Sequence, residues 1–234
     1  EVPLQDDGAA YRLDLPGIDA ALAAGARAVL LCNPHNPLGL VHAREELAEL
    51  AEIVERHGAH VVSDEIHAPL THRGATFTPY LSVSDAARRH GVAAASGSKA
   101  FNLAGLKAAM FVVDSEPMAQ WLATVPDAVS YRTGIMGLLA TQEGFRHATD
   151  WLDATIEVIE SNIALLERQL ADKLPQVRFR RGSATYLAWL DMRDLGWGDP
   201  GRVQGQGTAT SIVHPFPYIP VHAVLPRPAL ILIL

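Results

Sequence analysis

The chain of 234 residues is 49% hydrophobic and 19% charged, which is material for one large domain, or one and a half, around a sizeable core. Its 26 acidic residues outnumber 19 Lys and Arg for a formal charge of −7, and no basic cluster exceeds pairs such as Arg88–Arg89 and Arg180–Arg181, which excludes a nucleic-acid binder. Cys32 stands alone and can form neither an internal disulfide nor a metal-ligand pattern; with no leader and no apolar run near the roughly 18 residues of a membrane span, the expected location is cytoplasmic.

In chain order, residues 1–15 carry no strong signal. Leu15–Gly25 has the pattern of a short helix closed by glycine, and Arg27–Cys32 (RAVLLC) that of a strand buried on both faces. NPHNPLG at 33–39 is a turn. Ala43–His57 places Leu47, Leu50, Ala51 and Val54 on one face between Glu and Arg, an amphipathic helix stopped by Gly58. Ala59–Ser63 is the next strand. Residues 92–95 are a short apolar strand, Ser96–Ser98 a tight polar turn, and Lys107–Val113 a second buried strand. The strand–loop–helix–strand repetition predicts a mainly parallel sheet with ligands at the carboxyl ends of its strands.

That rule selects Asn33–Gly39, Asp64–His67 and Ser96–Lys99, so an amide-bearing loop, an acid and a lysine converge on one sheet edge. Lys99, at the end of a buried strand, is the candidate reactive group: partial desolvation lowers an amine's pKa and frees it for Schiff-base chemistry. Each residue also has a plainer reading. Lys99 and Lys107 can be solvated lysines, Asn33 and Asn36 turn formers beside Pro34 and Pro37, Asp64 a cap, and His67 a core histidine.

NPHNPLG, SDEIHAPL and SGSKAFNLAGLK, in that order, resemble the fold-type I pyridoxal-phosphate enzymes of the class I/II aminotransferase superfamily. DEIH followed by SKAFNLAGLK is similar to the MalY/PatB-type branch of cystathionine or cysteine-conjugate β-lyases. The likeness covers roughly residues 20–192, including TYLAWLD at 185–191. It implies a three-layer α/β/α large domain over residues 1–150 and part of a small α+β domain over 151–200. It also implies pyridoxal 5′-phosphate as cofactor, an amino-acid substrate and a homodimer. On the matching positions, Asn36 would bond the cofactor's 3′ oxygen, Asp64 would pair with its pyridine nitrogen and Lys99 would carry it in Schiff-base linkage. Ser96, Ser98 and Lys107 would hold its phosphate. His67 stands where many relatives have a tyrosine that reaches the 3′ oxygen.

Those roles suit a cofactor that acts as an electron sink for an α-carbanion when its ring nitrogen stays protonated. With sulfur on the β-carbon the outcome is thiolate, pyruvate and ammonia; without a leaving group it is transamination. A β-lyase is therefore expected, with an aminotransferase or a non-catalytic remnant of the same fold as alternatives. Family members begin well upstream and end with a carboxylate-binding arginine; neither an upstream phosphate turn and stacking aromatic nor that arginine has a counterpart here, so an incomplete enzyme is expected.

Ser115–Leu122, Thr133–Arg146 and Thr149–Asp172 read as helices, the last amphipathic through Leu152, Ile156, Ile159, Ile163, Leu166 and Leu170. Val177–Phe179 and Thr185–Leu190 read as strands of the smaller unit. Residues 201–234 contain no Asp or Glu, two Arg, and prolines at 215, 217, 220, 226 and 228, which deny a helix and a central strand. The expectation is a tail outside the fold, produced by a shifted reading frame, or else a divergent extended end.

Overall fold

The computed structural model describes residues 1–195 and 229–233. Strands β1 (Gln5–Asp6) and β2 (Tyr11–Arg12) form an antiparallel ribbon. Helix α1 (Leu15–Ala23) starts where the Asp14 carboxylate accepts the Gly17 N–H at 3.1 Å and Pro16 fills the first turn, both standard helix starters. A four-stranded sheet follows in the order β3 (Ala28–Cys32), β4 (His60–Asp64), β5 (Gly91–Ala95), β6 (Met110–Val112).

Helix α2 (Arg44–Arg56) crosses from β3 to β4, with Glu45 and Glu46 in its first turn and Arg56 in its last, complementing the helix dipole. Its face of Leu47, Leu50, Ala51, Ile53 and Val54 is buried against α1, Leu31, Val61 and Tyr80. Helix α3 (Asp85–His90), capped by Ser84 on the Ala87 N–H, completes this layer. Gly91 follows at once because α3, β5 and Tyr80 close in there: a Cβ would lie 2.5 Å from the Ala87 carbonyl oxygen and 3.0 Å from the Tyr80 ring.

Strands β3, β4 and β5 are parallel; β6 is antiparallel to β5. Two expectations are corrected. The second strand is Met110–Val112 and not buried: its three residues are 43%, 56% and 44% exposed, because β6 ends the sheet with one neighbour and no covering element among the described residues. Likewise β3 is not buried on both faces. Leu30 is 79% exposed at the opposite edge.

Helices α4 (Glu116–Leu122), α5 (Asp127–Ser130), α6 (Ile135–His147) and α7 (Thr149–Lys173) follow. Ile159 and Ile163 of α7 pack on Leu70, and Leu170 packs on Val177 and Leu190. The second sheet is antiparallel, in the order β7 (Arg178–Phe179), β8 (Leu187–Asp191), β9 (Ala229–Ile233). Strand β9, within the stretch expected to form a tail outside the fold, pairs along all of β8; the rest of residues 201–234 lies outside the described residues. Where the sequence suggested a strand from Thr185, β8 begins two residues later, since Thr185 has φ +66°, left-handed backbone that cannot extend a strand.

Candidate active site

The parallel ladder places Cys32 opposite Asp64 and Asp64 opposite Ala94. It continues one residue further, Asn33 N–H donating to the Asp64 carbonyl at 3.0 Å and Glu65 N–H to that of Ala94 at 2.9 Å. The three loops singled out by sequence therefore leave one edge of one sheet, where open α/β folds bind ligands.

In the first loop the two asparagines separate by role. Asn33 is fully buried and its Nδ2 donates to the Thr78 carbonyl at 3.1 Å, so it locks the loop. Asn36 is exposed at the edge, and its backbone N–H donates to Cys32 Sγ at 3.2 Å. The loop closes on itself through Gly39 N–H to His35 O at 2.8 Å. Gly39, at φ +62°, is required twice over: a Cβ would fall 2.5 Å from the Ala184 carbonyl oxygen.

In the second loop Asp64 is half-buried, and the Ile66 N–H at 3.2 Å commits Oδ1 and not Oδ2. Glu65 is internal: its Oε1 accepts from Ser63 Oγ at 2.9 Å and Tyr80 N–H at 2.8 Å, and burial pushes its carboxyl pKa up. His67 is 2% exposed, and both ring nitrogens lack a partner among the described residues. Burial, reinforced by Lys99 and opposed by Asp64, brings its pKa down to about 4, so the ring is neutral at pH 7. A buried polar ring without partners is costly and marks a place for a ligand or water.

In the third loop Ser96 is buried and donates to the Ala108 carbonyl at 2.6 Å, while its oxygen accepts the Ser98 N–H at 3.0 Å. One hydroxyl proton serves one acceptor at a time, so Ser96 braces the turn, and Ser98 Oγ, 2.7 Å from Ser96 Oγ and with only a long 3.4 Å bond to the Ala108 carbonyl, is the hydroxyl more readily turned to a ligand. Lys99 is half-buried in that turn. Lys107 is exposed, in left-handed backbone at φ +51°, beside the carbonyl that anchors the serines.

Two supports were missed in the sequence. Helix α6 clamps the lysine turn through glycines: a Cβ on Gly137 would sit 2.5 Å from the Leu106 carbonyl oxygen, and one on Gly144 2.7 Å from the Phe101 ring. Two glycines seven apart in a helix lie on one face, and that spacing was the available signal. The other support is Gly182–Tyr186. Ser183 N–H donates to Gly39 O at 2.8 Å, His72 N–H to Ser183 O and Thr185 N–H to Leu70 O at 2.9 Å each, and His72 Nε2 to Thr185 O at 2.7 Å. Tyr186 meets His67 edge-on, ring centroids 5.8 Å apart at 61°.

The charges of Lys99 and Asp64 both reach His67, Ser98 and Lys107 leave the same sheet edge as Lys99, and Asn36 follows β3, two strands across from β5. Residues 1–211 match the family Aminotransferase class I and II. The chain belongs to the class I and II aminotransferase family. Within it, a Mycobacterium tuberculosis protein provisionally named cystathionine beta-lyase is 44% identical over 205 residues, 84% of this chain and 49% of the relative. Cystathionine beta-lyase PatB of Bacillus subtilis is 36% identical over 204 residues, 84% and 51%. The crystal structure of cystalysin from Treponema denticola, which contains a pyridoxal 5′-phosphate cofactor, matches at TM-score 0.79 and 25% identity over 86% of this chain and 52% of that one. The chain spans about half the length of the curated relatives it matches. These likenesses establish the three-layer α/β/α transferase fold of the family with its mainly parallel sheet.

Proposed function

We propose that the protein is a pyridoxal-phosphate-dependent carbon–sulfur β-lyase that converts cystathionine or cysteine S-conjugates to thiol, pyruvate and ammonia. The observation that carries this reading is that the strands ending at Asp64 and at Ser96–Lys99 are neighbours in one sheet, beside a buried His67 whose ring nitrogens have no partner among the described residues. The donor set suits the cofactor: an uncommitted carboxylate oxygen on Asp64, an amine, an exposed amide on Asn36, and the Ser98 hydroxyl beside a Lys107 charge. Relatives named for cystathionine cleavage favour the lyase outcome over transamination.

When bound, pyridoxal phosphate supplies an electron sink for the pair left on the substrate's α-carbon. Asp64, oriented by the Ile66 N–H, would hold a proton on the pyridine nitrogen. Asn36 would donate to the 3′ oxygen. Ser98 would donate to the phosphate and Lys107 would place a positive charge near it, without the bidentate fork of arginine; Ser96 keeps Ser98 in place. The free amine of Lys99 takes the α-proton. The carbon–sulfur bond then breaks with its electrons going to sulfur, which takes up a proton and leaves as thiol. The three-carbon enamine left over takes up water and yields pyruvate and ammonia.

A homodimer and a cytoplasmic location belong to the same proposal, on the family resemblance; no helix among the described residues is long and apolar enough to cross a membrane. The test is to incubate the full-length gene product with pyridoxal phosphate and cystathionine. Accumulation of thiol and pyruvate supports the proposal. A keto acid accumulating with a new amino acid replaces it with a transaminase, and no bound cofactor removes it altogether.

A further inference from the structure

Tyr186 lies in TYLAWLD but is given no role by the family resemblance, yet it is the aromatic neighbour of His67, a buried site residue whose ring nitrogens find no partner among the described residues. Its ring is partly buried against Leu70, Ile159 and Ile163, so both helix α7 and the second loop hold it. Its backbone approach is fixed by Thr185, a β-branched residue in left-handed backbone, φ +66°, a conformation that persists where the surroundings over-determine it. Those surroundings are explicit. Thr185 N–H is bonded to Leu70 O and Thr185 O to His72 Nε2, while Leu70 N–H is bonded to His67 O at 2.9 Å. The segment carrying His67 and the segment carrying Tyr186 are therefore one hydrogen-bonded unit.

We propose that Tyr186 is a positioning residue for His67, fixing its ring plane and excluding water from it, so that one ring nitrogen is aimed at a ligand held between Asp64 and Lys99. The inference deepens the function proposed above and rests on it for the nature of that ligand. A 5.8 Å edge-on contact sets orientation, since aromatic rings attract edge to face. The groups facing His67 are Lys99 and Asp64 on the sheet edge and Tyr186 across from it. With no hydrogen bond from the described residues to orient the imidazole, packing by Tyr186 does so. A neutral imidazole offers one donor and one acceptor, and can bond a ligand oxygen without adding charge beside Lys99.

The experiment uses full-length protein labelled at histidine Cε1, with the His67→Asn spectrum assigning the His67 signal. In the cofactor-free parent and in Tyr186→Phe, which keeps the ring, the signal should stay at its neutral position until the pH nears 4. In Tyr186→Leu, which keeps apolar volume so that folding survives, the midpoint should rise by about one unit, toward the ordinary histidine value. Spectroscopic titration with pyridoxal phosphate should show affinity within twofold of the parent for Tyr186→Phe and about five- to tenfold weaker for Tyr186→Leu, the scale of an aromatic pair. A Tyr186→Leu protein, folded by circular dichroism, whose His67 titrates as in the parent overturns the inference whatever its affinity. Failure of borohydride to fix the cofactor on Lys99 of the parent overturns the proposed function instead, and the two failures are read independently.

Discussion

Ser96 ties the lysine turn to the sheet through a 2.6 Å hydrogen bond to the Ala108 carbonyl. The bond is buried and spans twelve residues, so the turn holding Lys99 and the approach to β6 are one piece. Replacing Ser96 with Ala leaves the buried Ala108 carbonyl only the long 3.4 Å bond from Ser98 Oγ and strands the Ser98 N–H. Such a loss costs about 1–3 kcal/mol, so the melting temperature should fall by several degrees, with a weaker hold on pyridoxal phosphate. A Ser96→Ala protein with the parent's melting temperature would remove the brace.

Lys99 is the expected attachment point of the cofactor. Borohydride reduction of the loaded full-length protein, followed by peptide mapping, should place the added mass on Lys99, and Lys99→Ala should abolish it. Mass found on Lys107 or Lys173 would relocate the site.

Asp64→Asn tests the proton on the pyridine nitrogen. An amide cannot hold that proton, so turnover should drop by roughly three orders of magnitude, about 4 kcal/mol in the barrier, while the cofactor still reaches Lys99. Turnover within a few-fold of the parent sinks the assignment.

The α6 clamp is a steric prediction. Gly137→Ala and Gly144→Ala each push a methyl into the Leu106 carbonyl or the Phe101 ring, and overpacking of this kind costs about 1–3 kcal/mol. Gly105→Ala, with nothing within 4 Å of its Cβ, is the control. Thermal unfolding of the three variants should separate the first two from the third; equal melting temperatures would dissolve the clamp.

The pair of Tyr80 and His90 sets a pH response. The Tyr80 hydroxyl lies 2.9 Å from His90 Nε2, and burial brings the His90 pKa down to about 4. A histidine that is neutral when folded takes up protons first in the unfolded chain, whose pKa is near 6.5. Its stabilising effect is complete above about pH 6.5, and is lost progressively as pH falls toward 4. His67, held low for similar reasons, acts in the same window. Urea midpoints should decline from pH 7 to pH 4, and a flat profile would show that neither ring stays neutral in the fold.

What could be seen in the sequence was local. β3, β4 and β5 announce themselves as short apolar runs ending in polar turns, and their parallel order follows from the helix between the first two. What could not be seen depends on neighbours. Strand propensity at Met110–Val112 says nothing about which strand ends a sheet, so its exposure was hidden. Residues 229–233, read from the sequence as part of a tail outside the fold, pair along β8. Helix α3, six residues long, is too short for its period to register. Asn33 and Asn36 share a motif, and only tertiary contact distinguishes the one bonded to Thr78 from the one at the open edge. Ser96, matched to a phosphate-binding role, spends its proton on Ala108. Thr185 reaches His72 across 113 residues, a separation no sequence period records.

That long reach has a consequence for synthesis. At Gly39 and Gly182 two backbones abut, 2.8 Å from the Cβ position of one to the Cα of the other, and the bonds from Gly182–Tyr186 close the walls around His67. While the ribosome is still adding residues before 182, the first sheet can form but its ligand edge lacks one side. Nascent chains stalled just short of that point should therefore take up pyridoxal phosphate weakly or not at all, and chains released beyond it should gain the site in a single late step.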